Sequence, residues 1–372
     1  MKYFLIAGEA SGDLHGANLM RSIKTLDPSA TFQFYGGDLM KAQGGALLKH
    51  FSEMAFMGFV EVVANLSAIN QNLASCKQAI IDAKPDVLIL IDYPGFNMRI
   101  AAFAKSMGIK VSYFISPKIW AWNQSRVHKI KKIVDQMLCI LPFEVDFYKK
   151  FAMDVVYVGN PLKDAIANYS FQNDFKLANG LSSKPIIAIL PGSRKMELLK
   201  ILPTMLAVQN HFPDHQFVVA AAPGLPTNFY QQFQLSGAKI LYNCTYDILA
   251  NAELAIVTSG TATLETALFN VPQVVCYKAN AVSVFIARML VKIKFISLVN
   301  LIADEKIVTE LIQQDCTVVN IAKELKMLLA GTSGRTEMLA KYQHLQSLVG
   351  PEGASLRAAQ AICQFIQPIA HV

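Results

Sequence analysis

Two carboxylates in this chain stand directly behind short apolar strands, where they could serve as a base. Val87–Ile91 is followed by Asp92-Tyr93-Pro94-Gly95. An acid after a buried strand and before a Pro-Gly turn is placed to take a proton from a hydroxyl. Tyr3–Ala7 is followed by Gly8-Glu9-Ala10-Ser11-Gly12-Asp13, a glycine-bearing turn that opens a helix. It is not G-x-G-x-x-G, so the dinucleotide fingerprint is absent, and Glu9 suits hydroxyl binding or a base role. Turn chemistry alone, with Asp13 as a cap, would also account for both segments.

Two further turns have the chemistry of anion sites. Leu254–Val257 reads as a strand, and Thr258-Ser259-Gly260 turns the chain into a helix beginning near Thr261. A helix start offers unpaired N–H groups and the positive end of the dipole, which suits a diphosphate. Thr261 and Glu265 lie four apart on one face, and Glu265 could accept from a ribose diol. Leu190-Pro191-Gly192-Ser193-Arg194 is the second such turn, with Arg194 able to neutralise a leaving diphosphate and Tyr277-Lys278 as further support. A capped helix with a solvated Glu is the plainer alternative. Ser116-Pro117-Lys118-Ile119-Trp120-Ala121-Trp122 holds both tryptophans, and Arg126, His128, Lys129, Lys131 and Lys132 follow. It reads either as an acceptor wall with cations for a phosphate or as a helix with a solvated basic face.

These residues need elements to position them. Short strands are expected at Tyr3–Ala7, Thr31–Tyr35, Val87–Ile91, Lys110–Ile115, Gln136–Leu141 and Val155–Val158. Helical patterns lie between them at Leu14–Leu26, Met98–Met107 and Ile119–Ile133. The pattern restarts at Pro185–Leu190, Gln216–Ala221, Lys239–Leu241, Leu254–Val257 and Gln273–Cys276, and the tail from Ile321 to Ile366 is helical. Such alternation predicts an α/β protein of two Rossmann-like domains facing a cleft, with C-terminal helices. The expected bounds are 1–165 for the first domain and 180–350 for the second. A last helix, 351–372, packs back toward the first.

A chain of 372 residues can bury two cores. Hydrophobic residues make up 53% and charged residues 16%, with mean hydropathy +0.33. No apolar run approaches the ~18 residues of a membrane span, and Met1–Ala7 is too short for a signal peptide's apolar core, so a cytoplasmic protein is expected. Six cysteines without metal or redox spacing read as buried thiols, and no metal or cofactor is expected. The net charge of +7 has no basic tail and fits an anionic membrane surface better than nucleic acid. Met54–Val60 is rich in large apolar residues, and Phe285–Phe295 mixes Arg288, Lys292 and Lys294 with apolar positions. Both read as membrane-contact candidates or as core.

AGEASGD (Ala7–Asp13), MGFVEV (Met57–Val62), KPDVLILIDYPGFN (Lys84–Asn97), YFISPKIWAW (Tyr113–Trp122), LPFE (Leu141–Glu144), LPGSR (Leu190–Arg194), SGTATLE (Ser259–Glu265) and SLVNL (Ser297–Leu301) together resemble the lipid-A-disaccharide synthase family. The resemblance implies a GT-B fold and an inverting, metal-independent transfer. UDP-2,3-diacylglucosamine would be the donor and 2,3-diacylglucosamine 1-phosphate the acceptor, on the cytoplasmic face of the inner membrane. It implies that Arg194, Gly260, Thr261 and Glu265, with Ser193 and Ser259 of the same turns, hold UDP. Asn300 would line the cleft, and Glu9, Ser11 and Asp92, with Trp120 nearby, would face the acceptor. One departure is Asn160, where many relatives carry His. Other UDP-sugar enzymes (a 2-epimerase, a muramyl-lipid transferase) and a non-catalytic UDP-sugar binder share the C-terminal turns. The oligomeric state stays open, a homodimer included.

Overall fold

The computed structural model describes residues 1–54, 66–222, 225–278 and 294–366. The chain divides into two compact units, one of Met1–Ala167 with Pro351–Val372 and one of Asn168–Gly350, so it passes between them twice.

The first unit is built on seven parallel strands: β1 (Lys2–Ala7), β2 (Thr31–Gly36), β3 (Ala46–His50), β4 (Val87–Ile91), β5 (Lys110–Phe114), β6 (Gln136–Cys139) and β7 (Val156–Tyr157). Their order is β3-β2-β1-β4-β5-β6-β7. The second unit has six parallel strands: β8 (Ile186–Leu190), β9 (Gln216–Ala221), β10 (Lys239–Tyr242), β11 (Ala252–Thr258), β12 (Gln273–Tyr277) and β13 (Thr309–Ile312), in the order β10-β9-β8-β11-β12-β13. Central strands are apolar throughout because helices cover both faces: all five residues of β4 and all five of β8 are buried. β3 and β13 are absent from the sequence reading for a physical reason. Both are edge strands, half exposed and interrupted by Lys49 or Glu310, so neither carries the continuous apolar run of a central strand. The helix expected over Ile119–Ile133 is broken into Ile119–Trp122, a 3-10 turn at Gln124–Arg126, and Val127–Ile133. The helical tail consists of Val318–Lys326, Ser333–Val349 and Ala354–Ile366.

The last helix is part of the first unit's core through Ala358, Ala359, Ile362 and Ile366. Its start is capped from a distant part of the chain. Asp164 accepts the backbone N–H groups of Gly353 (2.6 Å), Ala354 (3.3 Å) and Ser355 (2.7 Å), which satisfies donors a helix start leaves open. At its other end Lys110 Nζ donates to the carbonyls of Phe365 (2.9 Å) and Ile366 (3.1 Å), where a cation meets the negative end of the dipole. Asn160 is buried, and its Oδ1 accepts from Leu162 N at 3.1 Å, a local cap for the helix Pro161–Ala167.

His15, on the helix Ala10–Leu26, is buried, and its Nδ1 has no hydrogen-bond partner among the described residues. Burial pushes its pKa down to about 4, against an opposing pull from the Asp164 charge. The unfolded chain therefore binds a proton that the folded chain does not between about pH 6.5 and 4. The share of the stability that His15 controls is predicted to fall as the pH drops through that window, by up to about 3 kcal/mol, while a buried carboxyl such as Glu144, whose pKa is raised, acts in the opposite sense. Urea unfolding at pH 7 and pH 4.5 checks this. The change between the two pH values should differ between the wild type and a His15→Gln variant by up to about 3 kcal/mol, and an equal change in both proteins would contradict the assignment.

Candidate active site

Parallel pairing decides which loops meet. β1 has β2 on one side and β4 on the other, with Ala7 opposite Ile91, so the sheet's topological switch lies between β1 and β4. Ligands of open α/β sheets bind beyond the carboxyl ends of the strands at such a switch. Gly8-Glu9 leaves β1 and Asp92-Tyr93 leaves β4 at that point.

The β4 turn is strained and held. Asp92 and Tyr93 are consecutive left-handed residues, with φ of 45° and 47°. A non-glycine residue there costs roughly 1–3 kcal/mol and persists only where surrounding groups enforce it. Asn97, fully buried in the helix Pro94–Ser106, donates to the Asp92 carbonyl (2.7 Å) and more weakly to that of Ile91 (3.3 Å). Tyr113 OH donates to the same Asp92 carbonyl at 2.6 Å, and the Asp92 amide donates to Phe114 O at 3.1 Å. The carboxyl itself is half-buried. Burial pushes its pKa above the ordinary carboxylate range, while the Lys118 ammonium and the Tyr93 amide pull it back. A carboxyl held this way binds a proton more readily than a free one.

Tyr93 is a residue that sequence reasoning missed. Its ring lies against Gly8, where a Cβ would come within 2.2 Å of the ring, and its OH donates to Met54 O at 2.8 Å. Its phenol also feels the charge of Glu9. Glu9, half-buried, stands ahead of the helix Ala10–Leu26, and Ser11 is exposed in its first turn. Glu9, Tyr93 and Asp92 thus form one edge. Asp13 is not part of it. It accepts from Gly37 N (2.8 Å), Leu39 N (3.0 Å) and Met40 N (3.1 Å), bolting the turn after β2 to the first helix.

Trp120 is not an open acceptor wall. It is buried, edge-on to Phe143 with centroids 4.8 Å apart, and its Nε1–H donates to Glu144 Oε1 at 3.2 Å. Trp122 is the exposed tryptophan, with the Arg126 guanidinium 4.4 Å from its ring centroid.

In the second unit the switch lies between β8 and β11, with Leu190 opposite Val257. This brings the turn Pro191–Arg194 beside Thr258-Ser259-Gly260: a Cβ on Gly192 (φ 86°) would meet Thr258 Cγ2 at 3.4 Å. Ser193, Arg194 and Thr261 are exposed, and a Cβ on Gly260 would meet open space. Arg194 pairs with Glu197 at 3.0 Å in the first turn of Lys195–Ala207, in a position too exposed to matter for stability. The helix Thr261–Leu268 starts after Gly260, and Glu265 in its second turn accepts from Tyr246 OH at 3.1 Å. Burial pushes the Glu265 carboxyl up, and the Tyr246 bond pulls it back. Lys278 is engaged elsewhere, donating to Thr204 Oγ1 at 3.0 Å.

Asn300 does not present a free amide. Its Nδ2 donates to Val308 O and Glu310 Oε1, both at 2.9 Å, and its Oδ1 accepts from Ile307 N (2.8 Å) and Val308 N (2.9 Å). All four amide positions are taken. Glu310 also accepts from Ser297 N and Oγ, and Ser259 Oγ donates to Ile296 O at 2.8 Å. Asn300 therefore belongs to a knot that fixes the segment beside the Ser259 turn. Beyond Met54, the apolar stretch Met54–Val60 lies outside the described residues, as do the MGFVEV motif, Arg288 and Lys292. Lys294 is exposed and pairs with Asp304 at 3.2 Å.

A family model described as Lipid-A-disaccharide synthetase matches residues 3–364. The chain belongs to this family. It is accordingly a glycosyltransferase of lipid A synthesis. It is 36% identical to the lipid-A-disaccharide synthase of Myxococcus xanthus, over 99% of this chain and 98% of that one. With the synthase of Coxiella burnetii (strain CbuG_Q212) it shares 36% over 97% and 98%. Among solved structures it resembles the UDP-GlcNAc 2-epimerase of Neisseria meningitidis bound to UDP-GlcNAc. The TM-score is 0.69 at 12% identity, covering 98% of this chain and 100% of that one. It also resembles the glycotransferase of kitacinnamycin, with TM-score 0.66, 12% identity and coverage of 98% and 99%. At that identity the likeness is one of fold, GT-B in type, and it does not favour an epimerase.

The Gly8–Tyr93 contact yields a prediction. Gly8→Ala should displace the Tyr93 ring, cost about 1–3 kcal/mol by denaturant unfolding and slow turnover. A variant with wild-type stability and activity would mean that Tyr93 yields freely and does not hold the edge.

Proposed function

We propose that this chain transfers 2,3-diacylglucosamine from UDP-2,3-diacylglucosamine to the 6-hydroxyl of 2,3-diacylglucosamine 1-phosphate, with inversion. The products are the β(1→6) disaccharide 1-phosphate and UDP. The observation that carries this reading is Asp92. It stands at a switch point, on a backbone held in a strained conformation, with its carboxyl raised by burial. As the acceptor oxygen attacks the anomeric carbon, its proton passes to Asp92, and the bond to the UDP oxygen breaks. Glu9 is the neighbouring carboxylate and binds acceptor hydroxyls, with Ser11 beside it. On the donor side, the N–H groups at the start of Thr261–Leu268 and the Arg194 side chain take the diphosphate, with Ser193, Ser259 and Gly260 leaving room for it. Glu265, oriented by Tyr246, accepts from the ribose diol.

Both sugars carry acyl chains, and exposing each methylene to water costs about 0.8 kcal/mol, so the enzyme must go to the lipid. The net charge of +7 supports work at the anionic cytoplasmic face of the inner membrane. So does the exposed Trp122, with Lys129, Lys131 and Lys132 exposed after it. Among the described residues no helix is long and apolar enough to cross a membrane.

Asp92→Asn keeps the shape of the site but removes the base. It should lower kcat by about 10²–10⁴-fold and leave UDP affinity unchanged. In the wild type, kcat should fall on the acid side as the raised Asp92 carboxyl protonates. Arg194→Ala should weaken UDP binding about ten- to a hundredfold by calorimetry, the loss of one charge-assisted bond. Near-normal kcat in Asp92→Asn together with loss of activity in Glu9→Gln would reverse the roles of the two acids. Unchanged UDP affinity in Arg194→Ala would exclude the donor placement.

A further inference from the structure

One buried acid is left unexplained, after β6 and two strands along the sheet from the β4 end that carries Asp92. Glu144 lies in the first turn of the helix Pro142–Lys149 and is 1% exposed. Its Oε2 accepts from Ile140 N (3.2 Å) and Leu141 N (3.0 Å), and its Oε1 accepts the Trp120 indole N–H (3.2 Å). Among the described residues it has no cationic partner; a buried carboxylate so placed is costly, and a capping role alone would be filled as well by an exposed Glu. What burial adds is the bond to Trp120.

Trp120 closes the segment that follows β5. Ile115 is left-handed (φ 67°), Ser116 Oγ is 2.8 Å from Tyr148 OH, and Lys118 then reaches close enough to Asp92 for its charge to be felt there. The segment is tied at Ser116 to one end of the helix Pro142–Lys149 and at Trp120 to the other, with Lys118 between the ties. We propose that Glu144 is a positioning residue of the acceptor site: its carboxylate holds the Trp120 indole and so fixes the Ser116–Trp122 turn that carries Lys118 to Asp92. The proposal rests on the reading of Asp92 as the acceptor-side base.

Burial raises the Glu144 carboxyl to about 7, with the Leu141 amide, the Trp120 indole, the Ile140 amide and the Ser116 hydroxyl pulling it back. The other groups that sense its charge are Cys139 on β6, Tyr148 on its own helix and Tyr157 on β7, the last with Arg357 near it. Burial raises all three above their ordinary values, so they stay neutral through neutral pH. Glu144 is therefore the group of this cluster that changes charge there. Its protonation weakens the grip on the indole.

The chain has two tryptophans, which makes the contact directly readable. With Trp122→Phe as background, the emission of Trp120 should titrate with a midpoint near pH 7, and adding Glu144→Gln should abolish that titration. Trp120 emission that Glu144→Gln leaves unchanged at every pH from 5.5 to 8.5 overturns the proposal. In enzyme assays Glu144→Gln and Trp120→Phe should each raise the acceptor KM about tenfold or more, with UDP affinity by calorimetry unchanged. Glu144→Asp should recover part of the loss. If Glu144→Gln does not fold, Trp120→Phe still decides: it keeps one aromatic ring and removes the N–H together with the rest of the indole, and unchanged acceptor KM in that variant contradicts the proposal. Asp92→Asn serves as the control that separates the two readings. The Trp120 titration should persist in it, whether or not Asp92 proves to be the base.

Discussion

The constraint on which the rest depends is the parallel register at two strand pairs. Ala7 opposite Ile91, and Leu190 opposite Val257, bring every carboxyl-terminal strand end of a unit to one edge. Because the strand order reverses at those pairs, the loops leaving them go to opposite faces and open a gap at the sheet edge. Glu9 and Asp92 share one such gap, and Arg194 and Ser259 share the other. Nothing about these residue types alone would bring them together.

Several acids that resemble site residues are employed in holding that geometry. Asp13 and Asp164 each accept three backbone N–H groups from a distant segment, and Glu310 gathers Ile296, Ser297 and Asn300 around the Ser259 turn. Charge-assisted bonds to backbone amides are stronger than neutral ones and satisfy donors that would otherwise be buried alone. The acids differ in what surrounds them. Asp13 has its oxygens filled by amides. Asp92 instead offers a half-buried carboxyl whose proton affinity is raised, while the hydrogen bonds that fix it go to its backbone carbonyl.

This division explains how much the sequence could reveal. Buried strands such as Val87–Ile91 and Gln216–Ala221 are legible to the residue, because a fully covered parallel strand is continuously apolar. The edge strands Ala46–His50 and Thr309–Ile312 are not, since half-exposed pairing needs no such run. The turns at Arg194 and Ser259, each between a strand and a helix, are legible from glycine and strand–helix spacing. The direction of a side chain is not: Trp120 points inward to Glu144 while Trp122, two residues on, points out. The family resemblance implies that Asn300 lines the cleft, yet its amide is consumed by the loop at Ile307-Val308. Tyr93 carried no signal of its own, although Gly8 across the sheet, which tolerates no Cβ against that ring, is its trace.

The most direct test of the account is the reaction itself. The purified chain would be incubated with UDP-2,3-diacylglucosamine and 2,3-diacylglucosamine 1-phosphate in mixed micelles, and the products followed by mass spectrometry. The account predicts a disaccharide 1-phosphate equal in mass to the two substrates less UDP, formed together with one equivalent of UDP and with a β linkage. Release of UDP without the disaccharide, or recovery of a 2-epimerised UDP-sugar, would contradict it.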